Sequence, residues 1–284
     1  MPFETFNTIM KTADDNGFAV AAICVYNIES AAWIIKAAEI ERVPVICMLY
    51  PDPGSFIPMS AVASSCRILA ERATVPVGIH YDHCSSFESA VSGIPLGFQS
   101  IMIDGSLLPY EENIKVTKQV VDTAHIFGVD VEAELGCVGR NSSEEELFDD
   151  ANYTKPDDVI DFINRTGADA LAVAIGNTHG KYISTPRLDI SRLDEINKAV
   201  SVPLVLHGGS GIPAEQITES VKHGINKMNI GTEFFIKYKE LTGKYLSEKE
   251  GFIVKILENI GEEIIPFTRT RLKTLNPPAY KLPK

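Results

Sequence analysis

Val75-Pro76-Val77-Gly78-Ile79-His80-Tyr81-Asp82-His83-Cys84 begins as an apolar run and turns polar at its end. The shortness of the apolar half and the proline bounding it predict a buried parallel strand, not a helix. The polar residues then stand at the C-terminal end of that strand. In a closed α/β barrel that end is the active face, so Asp and His clustered there read as working groups. Strand alternation sends Asp82 and His83 to opposite sides, so a bend must follow if both are to reach one pocket. Alone, the pair is a weak motif: a satisfied histidine beside a helix-capping Asp accounts for it equally well.

On both sides of this stretch the sequence alternates strand and helix signals. Residues 4–15 predict an opening helix that ends at Asn16-Gly17, where glycine takes the left-handed cap. Then follow a strand over 19–25, a helix over 30–41, a strand over 44–49 and a helix over 59–73 before the strand carrying Asp82. Beyond it come a helix over 86–91, a strand over 100–103 delivering Asp104-Gly105-Ser106, a helix over 109–127 and a strand over 129–135. On that last strand Glu132 and Glu134 share a face, being one strand period apart. Residues 136–155 lack periodicity and hold Glu144-Glu145-Glu146; a loop of that length is functional or disordered. Helices over 156–166, 191–199 and 213–223 alternate with strands over 170–174, 203–206 and 227–230, and residues 233–275 read as helical. Eight such units, with right-handed crossovers, predict a (β/α)8 TIM barrel of the α/β class. One domain over 1–284 is expected, with the barrel at about 17–245 and a C-terminal helical extension at about 246–284.

Composition narrows the function. With 284 residues and 45% hydrophobic content the chain can bury one large core. A formal charge of −12 and a pI near 5.0 argue against a nucleic-acid or anionic-membrane surface, either of which wants a basic face. The start, Met-Pro-Phe-Glu-Thr, lacks a charged opening followed by an apolar run, and no segment nears the ~18 apolar residues of a membrane span, so a soluble cytoplasmic protein is expected. Five cysteines at irregular spacing, without C-x-x-C, fit reduced thiols.

Three later strand ends are polar as well: Gly176-Asn177-Thr178-His179-Gly180, His207-Gly208-Gly209-Ser210-Gly211 and Asn229-Ile230-Gly231-Thr232. Three histidines from different strands, His83, His179 and His207, with one position left open, match a catalytic zinc arrangement. His125 and His223 fall inside predicted helices, and His80 reads as a packing or supporting residue. The glycines after strands seven and eight let backbone amides approach an anion at helix starts, which makes phosphate the natural ligand.

Together, Asp82-His83, Met102-Ile-Asp-Gly-Ser106, Glu132-Ala-Glu-Leu-Gly136, the Gly176–Gly180 and His207–Gly211 segments and Asn229–Thr232 resemble the class II, metal-dependent ketose-bisphosphate aldolases, over residues 5–245. The resemblance implies a zinc-dependent aldolase that reversibly cleaves a phosphorylated ketose, fructose or tagatose 1,6-bisphosphate or a related 1-phosphate, to dihydroxyacetone phosphate and an aldehyde. It implies that His83, His179 and His207 bind Zn2+ or a similar divalent metal and that Asp82 is the acid/base at the substrate C4 hydroxyl. Asp104 and Glu134 would be buried polar support or an alternative metal position. Gly180, Lys181, Gly208, Gly209, Ser210, Asn229, Ile230, Gly231 and Thr232 would hold dihydroxyacetone phosphate, with a monovalent cation, Na+ or K+, assisting. Similar enzymes return a proton from a loop glutamate, here Glu144 or Glu145, and assemble as homodimers or homotetramers. A metal that accepts the charge of a retro-aldol cleavage makes a Schiff-base lysine unnecessary.

The departures from the family fall on one half of the substrate. Cys24 replaces a polar Asn, Leu49-Tyr50-Pro51 and Pro53-Gly54-Ser55 replace small residues, and Gly251-Phe-Ile-Val-Lys255 stands where many relatives carry Asp-Pro-Arg. The aldehyde half is therefore expected to differ. Another metal-dependent sugar-phosphate isomerase or epimerase, or a non-catalytic sugar-phosphate-binding homologue, is the alternative; the former leaves Asp82 and the loop acids without paired roles, and the latter predicts a lost ligand.

Overall fold

Parallel strands form where β-branched and apolar residues run between prolines and glycines, and eight of them close on one another. In the computed structural model, which describes residues 2–51, 56–139, 152–182, 184–247 and 252–283, the strands are β1 (Val20–Cys24), β2 (Val45–Leu49), β3 (Val77–Cys84), β4 (Ser100–Ile103), β5 (Asp130–Leu135), β6 (Ala170–Val173), β7 (Leu204–Leu206) and β8 (Ile225–Ile230). They pair in chain order, every pair parallel, and β8 closes on β1 through the register Ala22 to Asn229. This is the (β/α)8 barrel expected from the sequence.

The helices are α1 (Phe6–Asn16), α2 (Ile28–Glu41), α3 (Met59–Arg72), α4 (Phe87–Val91), α5 (Tyr110–Ile126), α6 (Pro156–Thr166), α7 (Ile190–Ala199), α8 (Ala214–Lys222), α9 (Thr232–Leu246) and α10 (Ile253–Thr274). Their starts and stops follow local chemistry. Thr5 caps α1 by accepting from the Thr8 amide, Gly17 ends it in the left-handed region, and Asn27 with Ser30 forms a reciprocal capping box on α2. Among the described residues no helix is long and apolar enough to cross a membrane.

Two cores result from the strand alternation. The larger lies between the strands and the outer helices, with Val131, Ala133 and Leu135 of β5 pointing into it. The smaller fills the lower barrel interior, where Phe6, Ile9, Met10 and Ala13 of α1 plug the barrel against Ala22, Ile46, Ala170 and Ala172. Small residues on the strands make room for that plug; a β-carbon on Gly78 would stand 3.1 Å from the Ile9 side chain. Above the plug the interior turns polar. His80, Glu132 and Lys227 are fully buried there, with the His80 ring stacked on Phe6.

β8 begins two residues earlier than its predicted start at Lys227, which places that lysine inside the strand and inside the barrel. The helical C-terminus packs back on the barrel: Gly261 of α10 meets Trp33 of α2, where a β-carbon would stand 2.7 Å from the indole nitrogen. Arg269 pairs with Glu41 at 2.6 Å and Arg271 with Glu233 at 2.6 Å, so both arginines are engaged within their own chain.

Candidate metal centre and active-site cavity

The bend required by the Asp82-His83 pair occurs at His83 itself. The pairing of β3 with β4 shifts register between Tyr81 and Cys84, and His83 takes φ 49°, in the left-handed region. For a non-glycine residue that conformation costs on the order of 1–3 kcal/mol, a strain that persists only where the surroundings impose it. The bulge re-aims one side chain, and both Asp82 and His83 line the same cavity.

That cavity has a volume of about 1070 Å³ and opens at the C-terminal ends of the strands. At its wall the three predicted histidines meet, His83 and His179 lining it and His207 buried beside them. The His83 ring lies 4.8 Å, centre to centre, from both His179 and His207, and His179 lies 5.6 Å from His207. One ligand atom each from His83, Glu134, His179 and His207 falls within 4.8 Å of the others. Glu134, not Asp104, is thus the carboxylate that converges with the histidines.

Hydrogen bonds fix which ring nitrogens face inward. A carboxylate can only accept, so His207 Nε2 carries the proton it donates to Glu132 Oε1 at 2.9 Å, and its Nδ1 is the nitrogen that faces Glu134. His83 Nδ1 donates to Asp104 Oδ2 at 3.2 Å, leaving Nε2 bare, while the other Asp104 oxygen accepts from the Ser106 amide and hydroxyl. His207 Nδ1 and Glu134 Oε2 lie 3.3 Å apart, both buried and both without a hydrogen bond. A buried ring nitrogen and carboxylate oxygen side by side are costly unless a proton or a metal cation lies between them. The donor set, three imidazoles and one carboxylate, fits a divalent metal of the zinc type.

Electrostatics agree with a site made for positive charge. Burial penalises charge on His207, yet Glu132 and Glu134 outweigh it and push its pKa to about 10, so Nδ1 takes up a proton toward Glu134 wherever no metal ion holds it. Burial, with His207 and His83 nearby, lowers His179 to about 3. Burial opposes the Asp82 carboxylate, but His83, His80 and Lys227 hold it ionised, well below the usual carboxylate range. Glu132, against the same burial, is held at about 2 chiefly by Lys227 and His207.

Most of the other predicted residues also gather on this cavity. Asp104, Gly180, Gly208, Ser210, Asn229, Gly231 and Thr232 line it; Glu134 and His207 are buried beside the lining His83 and His179. At Gly208 (φ 63°) a β-carbon would stand 1.9 Å from the Thr178 carbonyl, so only glycine lets these two loops touch. Gly209, Ile230 and Lys181 stand off the cavity wall. The Gly209 amide donates to the Asn229 carbonyl, Ile230 packs in the outer core, and Lys181 is exposed. Glu144 and Glu145 lie outside the described residues. His125 and His223 stand away from the cavity, paired with Asp169 and Asp194.

Two contributors, Lys227 and Tyr182, and one contact of a residue already singled out, Asn229, were missed in the sequence. Lys227 is buried against Glu132; a lysine flanked by Asn226 and Met228 gives no local sign of that, although Glu132 on an inward strand face implies a counter-charge somewhere. Tyr182 ties two loops together, accepting from the Thr178 amide and donating to the Gly208 carbonyl, both at 3.0 Å. The Asn229 side chain reaches Asp82 from the far side of the barrel, at 3.3 and 3.4 Å.

The sequence and the barrel are both shared with known proteins. The family model for class II fructose-bisphosphate aldolase matches residues 4–276. A Bacillus subtilis (strain 168) protein named as a probable fructose-bisphosphate aldolase is 39% identical over 252 residues, 88% of each chain. The crystal structure of the YdjI aldolase from Escherichia coli K12 superposes with a TM-score of 0.86 at 33% identity, covering 96% of this chain and 97% of that one. Fructose-bisphosphate aldolase from Campylobacter jejuni superposes with a TM-score of 0.77 at 26% identity, covering 95% and 93%. The match over nearly the whole length, on a barrel whose strand ends gather three histidines and their carboxylates, makes this chain a member of the class II fructose-bisphosphate aldolase family, enzymes of the metal-dependent lyase type.

Proposed function

We propose that the chain is a zinc-dependent aldolase that reversibly cleaves a phosphorylated ketose to dihydroxyacetone phosphate and an aldehyde. The observation that carries this reading is the unpartnered pair His207 Nδ1 and Glu134 Oε2, facing His83 and His179 beside an ionised Asp82. His83 through Nε2, His207 through Nδ1 and His179 would hold the ion, with Glu134 as the adjoining carboxylate. When bound, the ion supplies Lewis-acid stabilisation for the negative charge that builds on the ketone side as the C3–C4 bond breaks. Asp104 and Glu132 hold the tautomers of His83 and His207, as carboxylates beside ligating histidines do.

Asp82 takes the proton from the substrate C4 hydroxyl. It is ionised, lies on the cavity wall and is held from behind by Asn229, which leaves its lone pairs on the cavity side for the hydroxyl. The phosphate of dihydroxyacetone phosphate sits at the N-terminus of α9, between Ser210, Gly231 and Thr232 on one side and Gly180 and Gly208 on the other, where helix-end amides favour an anion. Lys181, Gly209 and Ile230 support this segment from outside the cavity wall. Glu144 or Glu145 returns a proton after cleavage. A monovalent cation assists at the phosphate, and the enzyme works in the cytoplasm as one barrel domain with C-terminal helices, in a homodimer or homotetramer.

The aldehyde product differs from a phosphorylated triose. Among the described residues lining the cavity none is Lys or Arg, and the side near β1 and β2 presents Cys24, Met48 and Tyr50, with Leu107 and Phe235 at the rim. The test is aldol condensation of dihydroxyacetone phosphate with a panel of phosphorylated and neutral aldehydes. Turnover of neutral aldehydes is expected. No turnover with any aldehyde, in zinc-loaded protein, would overturn the reading.

A further inference from the structure

Lys227 lies in the barrel interior with none of its surface exposed, a setting that a lysine charge tolerates only when paired. Its ammonium donates to both oxygens of Glu132, at 3.0 and 2.7 Å, and to Asn229 Oδ1 at 2.8 Å. From these two partners contacts lead to both halves of the chemistry. Glu132 receives the His207 proton at 2.9 Å, and Asn229 Nδ2 approaches the two Asp82 oxygens at 3.3 and 3.4 Å. Residues of β3, β5 and β8 and the His207 ring are thereby joined through one nitrogen.

We infer that Lys227 is a positioning residue that fixes the Asn229 amide so that it donates to Asp82. This rests on the reading of Asp82 as acid/base. The two ends of an amide side chain have nearly the same shape and opposite hydrogen-bonding character. An ammonium has three donors and no acceptor, so only Oδ1 can face Lys227. The Nδ2 group must then face Asp82. Without the ammonium nothing distinguishes the two orientations from that side, and the flipped amide sets an oxygen against the Asp82 carboxylate. Lys227 and Asn229 are one strand period apart on β8, so backbone geometry keeps them on one face.

A lysine that serves only as counter-charge to Glu132 has no reason to act through Asn229, and that difference is measurable. Zinc-loaded wild type and variants are compared for kcat and KM with the fastest aldehyde of the panel, and zinc binding is titrated separately on stripped protein. Lys227→Met is expected to lower kcat about ten- to a hundredfold, to move the KM for dihydroxyacetone phosphate less than about threefold and to leave zinc stoichiometry unchanged. In an Asn229→Ala background the same substitution is expected to cost less than about threefold, because the amide it acts through is gone. An unchanged kcat, or an equal loss in both backgrounds, overturns the inference. Lys227→Met alone leaves Glu132 unpaired in the core, so the neutral double variant Lys227→Met/Glu132→Gln, which keeps an acceptor for His207, is read in its place if the single one does not fold. Full activity of Asp82→Asn in the same assay overturns the inference together with the acid/base assignment beneath it, whereas a dead Asp82→Asn beside an unaffected Lys227→Met overturns the lysine's role alone.

Discussion

Around the ends of β3, β5, β6 and β7 the cavity is lined by imidazoles and carboxylates held in fixed directions, whereas the side near β1 and β2 presents uncharged thiol, thioether and phenol side chains. His83 is set by Asp104, His207 by Glu132 and Asp82 by Asn229, each through a hydrogen bond from a neighbouring or opposite strand. Cys24, Met48 and Tyr50 bring a thiol, a thioether and a phenol to that side and no carboxylate or imidazole, and Leu107 and Phe235 stand exposed at the rim. The first region resembles machinery that tolerates little displacement. The second resembles a specificity surface, where one methylene is worth only about 1–3 kcal/mol. Substitutions should therefore differ in effect by orders of magnitude between the two.

The largest effect is expected from the metal itself. Chelation, or His207→Ala, should abolish detectable cleavage, and for the chelated wild type zinc should restore it; full activity in protein shown to be metal-free would dissolve the contrast altogether. Next comes Asp82→Asn, expected to retain zinc while losing about two to four orders of magnitude in kcat. Loss of zinc in that variant would instead make Asp82 part of the metal's support. Asp104→Ala removes only the partner that orients His83, so zinc affinity should weaken about ten- to a hundredfold in a competition with a chromophoric chelator. If affinity stays at the wild-type value, the His83 ring is held by other means.

The smallest effect belongs to the apolar side. A bisphosphate ketose should gain less than about tenfold in kcat/KM over a 1-phosphate with a neutral distal end, since a charge-assisted contact worth about 1.5–3 kcal/mol is missing there. A preference of about a hundredfold or more would mean that a cation from elsewhere in the assembly reaches the distal phosphate. Arg269 and Arg271 are poor candidates, being paired with Glu41 and Glu233.

The barrel was readable because its signals are local: short apolar strands, capped helices and glycine at loop ends repeat in order, and the strand spans in the structure differ from those predicted by a residue or two. The three histidines were readable because strand ends of a barrel converge by construction. What escaped depends on distance in sequence. Glu132 and Lys227 are separated by 95 residues and meet only when β5 and β8 face each other across the interior, so no window of sequence contains the pair. Asp104 and Glu134 were interchangeable as metal positions until the bulge at His83 turned its ring, placing Asp104 behind the ring and Glu134 in front of His207. A one-residue irregularity of that kind leaves no compositional trace.

The central claim is that His83, His179 and His207 hold the metal on which cleavage depends, and crystals of zinc-reconstituted protein measured on both sides of the zinc absorption edge test it most directly. The account predicts one anomalous peak at about 2.0–2.1 Å from His83 Nε2, His207 Nδ1 and a ring nitrogen of His179, with Glu134 adjoining. A peak coordinated by Asp104 without His207, or no peak in the cavity of active protein, would contradict it.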